Sequence, residues 1–323
     1  MKKLIVAVLI LPLILGVGAA MYWIPKQVRD DSDRTAKRAV ILRVAIVTDS
    51  HNNNDLLARA LAQARGMGVD FVIGLGDYTN TGTLDELNVA KNVFDASGLT
   101  YYVTAGDHDL WDSRDKQLKG DTNKDALSNF RAVFGEPSHE FTEKEIHFVI
   151  LDNSDIYLGI DQQGWRLLAG LNPAVRRPLQ GLTLVFAHKT PYHPDSAHIM
   201  GEQTPAVAKQ ANLLIELIEA TRPCHSGDDP PIGGEDSRRE VSLREINKTD
   251  SGRARMTNKL CPVVNGFFSG DLHFFANFNS PNGSVKMTTI GAVTRQPNPQ
   301  GPRFGVLTVY QDYSWEVADI EIR

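Results

Sequence analysis

The chain has 323 residues, 42% of them hydrophobic and 23% charged, an ordinary globular composition with enough apolar material for a sizeable core. A net charge of −5, without long runs of like charge or an internal repeat, argues against a nucleic-acid-binding face and against a charged interaction tail.

The first segment stands apart. Lys2 and Lys3 precede an apolar stretch from Leu4 to Ile24, with Tyr22 and Trp23 at its far end. At about 1.5 Å per residue such a helix reaches roughly 31 Å, the thickness of a hydrocarbon core. The pattern predicts a membrane anchor over residues 1–24, its Tyr-Trp pair at the interface. Gly18-Ala19-Ala20 also offers a cleavage site, so a removed signal segment is the alternative. Lys2 and Lys3 favour export of the chain beyond Ile24, whereas Lys26, Arg29, Arg34, Lys37 and Arg38 pull the other way.

The cysteines weigh for export. Cys224 and Cys261 are the only two, and they bracket a 36-residue stretch rich in Pro, Gly and charge. A disulfide closing such a segment suits an oxidising compartment, two unrelated thiols being the alternative. The expected location is therefore outside the cytoplasm, periplasmic or extracellular, either anchored or secreted. A linker over 25–40 leads to one domain over 41–323, with an insertion at about 189–262.

From residue 40 onward, short β-rich runs keep ending in carboxylates and imidazoles. Val44–Val47 leads into Asp49-Ser50-His51, Phe71–Leu75 into Gly76-Asp77, and Tyr101–Thr104 into Gly106-Asp107-His108-Asp109. Leu182–Phe186 leads into Ala187-His188, and Val263–Phe268 into Gly270-Asp271-Leu272-His273. Each run reads as a buried strand. Leu56, Leu57, Ala60, Leu61 and Ala64 make one helical face between the first two runs; Leu87, Ala90, Val93 and Phe94 make another between the next two. Alternating strands and helices imply parallel pairing, which places a site at the carboxyl ends of the strands.

Further along, Phe130 to Gly135 precedes a strand ending at Leu151-Asp152, and Gln162-Gln163-Gly164-Trp165 opens a helix. The insertion begins Lys189-Thr190-Pro191-Tyr192-His193, with His198 close behind; these histidines are within reach of a substrate, though loop histidines are usually solvated. A helix is expected over Ala206 to Ala220, with Leu213, Leu214, Leu217 and Ile218 facing the core. The cysteine-bracketed stretch reads as a lid. Lys286 to Ile290, Gly305 to Tyr310 and Trp315 to Ile322 alternate apolar and polar residues, as antiparallel strands completing a second sheet do.

Taken singly, each Asp could be a helix N-cap. Their repetition at strand ends, beside four of the nine histidines, points instead to a metal site. Asp and His without Cys suit Mn, Fe or Zn in an open site rather than a structural zinc knot. Asp49, His51, Asp77, Asp107, His188, Asp271 and His273 are more ligands than one ion needs. Two ions about 3.5–4 Å apart, sharing a carboxylate, would use them all.

These motifs, in this order over roughly residues 42 to 310, resemble the calcineurin-like metallophosphoesterase superfamily. The resemblance implies an α/β fold, a four-layer α-β-β-α sandwich of two mixed sheets with flanking helices. It implies hydrolysis of phosphomonoesters or phosphodiesters with two divalent ions. By position, Asp49, His51 and His273 would hold one ion, Asp107, His188 and Asp271 the other, and Asp77 would bridge them. His108 would be the catalytic histidine that assists the leaving group, and Asp109 would orient its ring. The family usually has Asn at the position of Asp107 and His at that of Asp271. Two added anions favour harder cations, Mn²⁺ above the others, and lessen the attraction for a phosphate dianion, which favours diesters. Those replacements also leave open a non-catalytic binding protein that keeps the fold, or a single-metal hydrolase.

Overall fold

A computed structural model describes residues 38–121, 125–171, 181–223 and 260–323. Contacts divide the chain into two units, Met1–Lys37 and Arg38–Arg323, and every described residue belongs to the second. The expected anchor over 1–24 and most of the linker therefore lie outside the described residues. Within them, no helix is long and apolar enough to cross a membrane.

Two mixed sheets form the middle of the domain. The first has five strands in the order β13-β12-β1-β2-β3: β1 is Val40–Val47, β2 Phe71–Gly74, β3 Tyr101–Val103, β12 Arg303–Tyr310 and β13 Trp315–Glu321. The second has six in the order β10-β11-β9-β6-β5-β4. Here β4 is His139–Glu143, β5 Ile146–Leu151, β6 Thr183–Ala187, β9 Gly266–Ser269, β10 Ala276–Asn279 and β11 Lys286–Thr289. Strands β1, β2 and β3 run parallel, as do β5, β6 and β9. All the expected motif strands thus end on common edges.

The strand pleat sorts apolar side chains between layers. Leu42, Val44 and Ile46 of β1 join Ile146, Phe148 and Ile150 of β5 and Leu184 and Phe186 of β6 in one core between the sheets. The alternate residues Ala45 and Val47 face outward, packing with Leu57, Leu61, Leu87 and Phe94. Those belong to α1 (Asn54–Gly66) and α2 (Leu84–Ala96). On the other outer face, Val149, Val185 and Phe267 pack with Leu168 of α5 (Gln162–Leu171) and Leu214 of α6 (Pro205–Ile218). The layers are helix, sheet, sheet, helix.

Three expectations shift in detail. Of the C-terminal strands expected to complete a second sheet, β12 and β13 instead extend the first, β12 pairing antiparallel with β1, and β11 lies in the second but parallel to β9. Helix α6 buries Val207, Ala211, Leu214 and Ile218, while Leu213 is 44% exposed. The apolar stripe at spacings of four and three wins, and Leu213 sits about 100° from Leu214 around the helix. The last motif strand begins at Gly266 rather than Val263, because Val263 N donates to Ala220 O and Asn265 exchanges bonds with Thr183. A short antiparallel pair, β7 (Thr221–Pro223) with β8 (Leu260–Pro262), brings Pro223 opposite Leu260. Cys261 on β8 is buried and disulfide-bonded. The expected lid lies mostly between these strands, outside the described residues, as does Cys224.

Candidate metal centre

The ends of β1, β2 and β3 in one sheet, and of β6 and β9 in the other, deliver the polar side chains to one cleft of about 790 Å³. The turns are tight. Asp49, His51, Asn52, Asp77, Asp271 and His273 all have positive φ, between 44° and 66°, a region non-glycine residues seldom occupy. Such strain gathers where side-chain direction is over-determined by its surroundings. The glycines of the motifs reflect the close approach of two of these turns. A Cβ on Gly76 would lie 2.3 Å from Gly106 N, and one on Gly106 would lie 2.1 Å from Asp77 Oδ1.

Four overlapping groups of ligand-type atoms result among the described residues, with atoms in each group within 4.8 Å of one another: Asp49, His51 and His273; Asp107, His188 and Asp271; and two through Asp77, one with His51 and His108 and one with Asp49 and His188. The first two share no residue. Asp77 lies between them: its Oδ2 is 3.6 Å from His51 Nε2, and its Oδ1 is 3.7 Å from His188 Nε2. In the first group His273 Nε2 is 3.3 Å from His51 Nε2 and 3.5 Å from Asp49 Oδ1. In the second, His188 Nε2 is 3.3 Å from Asp107 Oδ1 and 3.6 Å from Asp271 Oδ1.

Main-chain carbonyls aim the imidazoles. His188 Nδ1 donates to Leu75 O at 2.7 Å, and His273 Nδ1 donates to Pro297 O. With Nδ1 so engaged, Nε2 is the nitrogen turned to the carboxylates, as in histidines that hold metals. Burial lowers the His51 imidazole to about 4, so it is neutral, the form that offers a lone pair to a cation.

The first group fits a divalent cation. Asp49 is fully buried; its Oδ2 accepts from Thr48 Oγ1 and from Asp271 N, whereas its Oδ1 makes no hydrogen bond and has only the His273 ring nearby, at 3.5 Å. A buried carboxylate oxygen without a donor is costly unless a cation meets it. Burial pushes Asp77 well above the usual carboxylate range; His188 opposes this, and the Asp107 and Asp49 carboxylates add to it. Such crowding of acids is relieved by positive charge.

Around this core, the expected role of Asp109 is corrected. Its carboxylate is buried and accepts from Thr79 N, Thr79 Oγ1 and Gly106 N at 2.8–3.0 Å. The His108 ring is held elsewhere: Nδ1 donates to Asn80 O at 2.9 Å, and the ring stacks on Trp111 with centroids 4.0 Å apart. Asp109 thus ties the loop after β2 to the loop after β3 rather than orienting the imidazole. Neither Asn80 nor Trp111 stood out in the sequence, and the carbonyl contact carries no side-chain signature at all.

The loop after β6 adds further residues. Lys189 reaches both Asp107 and Asp271, at 3.1 and 2.8 Å. His198 lines the cleft, its Nε2 lying 3.3 Å from Asp271 Oδ2 and its Nδ1 2.6 Å from Glu202 Oε1. His193 is instead buried against Phe274 and Phe278. Neither histidine is the fully solvated loop residue that its position suggests.

Residues 42–211, more than half of the chain, match the sequence model of the calcineurin-like phosphoesterase family. No curated protein matches the chain by sequence. Among solved structures, a purple acid phosphatase from yellow lupin (Lupinus luteus) seeds superposes with a TM-score of 0.52 at 14% identity. The match covers 87% of this chain and 52% of that one, so this chain spans about half the length of the plant enzyme. A dimetal phosphatase from Danio rerio matches with a TM-score of 0.49 at 16% identity, over 88% of this chain and all of that one. The family match, the two-sheet sandwich and the Asp/His groups at its strand ends agree: the chain belongs to the calcineurin-like phosphoesterase family.

Proposed function

We propose that this protein is a divalent-metal-dependent phosphoric ester hydrolase whose centre has two halves joined by Asp77. The observation that carries the reading is the placement of the two Asp77 oxygens, one beside His51 and one beside His188. Asp49, His51 and His273 would hold one cation, and Asp107, His188 and Asp271 a second, with Mn²⁺ favoured by the oxygen-rich donor set. When bound, such cations neutralise phosphoryl charge and acidify an attacking water.

The chain's own residues do the rest. Leu75 O and Pro297 O hold two imidazoles with Nε2 toward the carboxylates. Asn80 O and the Trp111 ring hold His108 at the cleft, leaving its Nε2 to hydrogen-bond or protonate a leaving oxygen. Asp109 keeps the Asp77 and Asp107 turns in register.

The substrate class proposed is the phosphodiester. Asp107 and Asp271 add negative charge where the family has neutral ligands, and Lys189 offsets only part of it, which disfavours a dianion. Turnover of bis(p-nitrophenyl) phosphate against p-nitrophenyl phosphate, with Mn²⁺ supplied, tests this; a clear monoester preference would remove the diester assignment. The proposed location is outside the cytoplasm, supported by the apolar stretch from Leu4 to Ile24 and the disulfide at Cys261.

A further inference from the structure

Lys189 comes directly after His188 and occupies the second half of the centre. Its side chain is 4% exposed. Its position is built in: Lys189 N donates to Asn153 Oδ1 at 2.9 Å, and Asn153 Nδ2 donates back to Lys189 O at 2.7 Å. Asn153 is itself buried. The ammonium reaches Asp271 Oδ1 and Asp107 Oδ1, the same two oxygens that face His188 Nε2. These are the two positions at which this chain departs from the family's Asn and His. The other oxygen of Asp271 lies 3.3 Å from His198 Nε2, so that carboxylate is approached from both sides.

The first half is different. Among the described residues, no lysine or arginine pairs with Asp49 or Asp77. A cation entering there meets no lysine or arginine on its carboxylates, whereas a cation entering the second half meets an ammonium already seated on its ligands.

We infer that the centre loads its divalent ions in order and with very unequal affinity, the second ion binding only by displacing the Lys189 ammonium from Asp107 and Asp271. The inference rests on the metal-dependent reading above and deepens it. Breaking a buried, hydrogen-bonded ion pair weakens the second step by roughly 100-fold relative to the first. The displaced chain has somewhere to go, because Lys189 lines the cleft. Loading the second half replaces a single positive charge on Asp107 and Asp271 by a double one, which strengthens attraction for a phosphate ester and lets metal supply gate activity through Lys189.

Calorimetric titration of the metal-free full-length protein with Mn²⁺ alone, backed by metal counting, tests the inference without any ester present. Wild type is expected to bind two ions in steps separated by roughly 100-fold or more. Lys189→Met is expected to bring the second step within roughly tenfold of the first and leave the first unchanged, while Lys189→Arg keeps the wide separation. Two ions of equal affinity in wild type, or an unchanged separation in a folded Lys189→Met protein, would overturn it. Unequal loading in a protein that hydrolyses no ester would sink the proposed function and leave this inference standing.

Discussion

The Nδ1 atom of His108 donates to the main-chain oxygen of Asn80 at 2.9 Å. A carbonyl can only accept, so Nδ1 carries a proton and Nε2 is left for a substrate. Trp111 stacks on the same ring, so a carbonyl and an indole orient the imidazole, while the His108 main-chain N–H donates to Asp77 Oδ1 at 2.9 Å. His108→Ala is expected to lower kcat by about 10²–10⁴ while leaving Mn²⁺ content unchanged. Parallel rate and metal measurements check this; turnover within a few-fold of wild type removes His108 from the chemistry.

Asp109 is expected to behave as a structural carboxylate. Asp109→Ala strips acceptors from Thr79 N, Thr79 Oγ1 and Gly106 N in a buried place. The expected loss is about 3 kcal/mol, read by urea denaturation. A variant as stable as wild type with an altered pH–rate profile would return Asp109 to an orienting role.

Asp152 gives a pH dependence of stability away from the centre. Burial pushes its carboxyl up to about 7, against hydrogen bonds from Ser154, and its Oδ2 has no partner. The folded state therefore holds this proton more tightly than the unfolded chain, whose carboxyl titrates near 3.8. Between these values stability rises as pH falls, by at most about 4 kcal/mol from this group. Asp152→Asn is expected to be more stable than wild type at pH 8, with the advantage fading toward pH 4. Equal stability at pH 8 contradicts the assignment.

Metal removal should destabilise the fold. Asp49, Asp77 and Asp271 are buried together in the tight turns that follow β1, β2 and β9, and a bound cation relieves their repulsion. Chelation of a saturated protein is expected to lower the melting temperature, with a loss of about 4 kcal/mol if the ion had stood at a thousand times its dissociation constant. An unchanged melting temperature would mean that no ion is held at these residues in the folded state.

Much of this was legible in the residues themselves. The runs ending at Asp49, Asp77, Asp107, His188 and Asp271 carry β-rich composition, and their parallel order comes from the helices between β1, β2 and β3. What stayed hidden depends on direction rather than identity. Leu213 and Leu214 are chemically alike, and only helix rotation separates the exposed from the buried. The carbonyls of Leu75, Asn80 and Pro297 aim three imidazoles, yet main-chain oxygens leave no trace in residue type. Lys189 reads as the first residue of a polar insertion; only the fold shows that it turns inward to two carboxylates, Asp107 and Asp271, each 82 positions away along the chain.

The decisive experiment for a metal centre bridged by Asp77 is turnover of bis(p-nitrophenyl) phosphate by wild type and Asp77→Asn, each with chelator and then with Mn²⁺ restored. The expected result is wild-type turnover that chelation abolishes and Mn²⁺ recovers, with Asp77→Asn at least about 100-fold slower because its two halves lose their shared anion. Turnover indifferent to chelator, or equal in both proteins, would contradict a metal centre joined by Asp77.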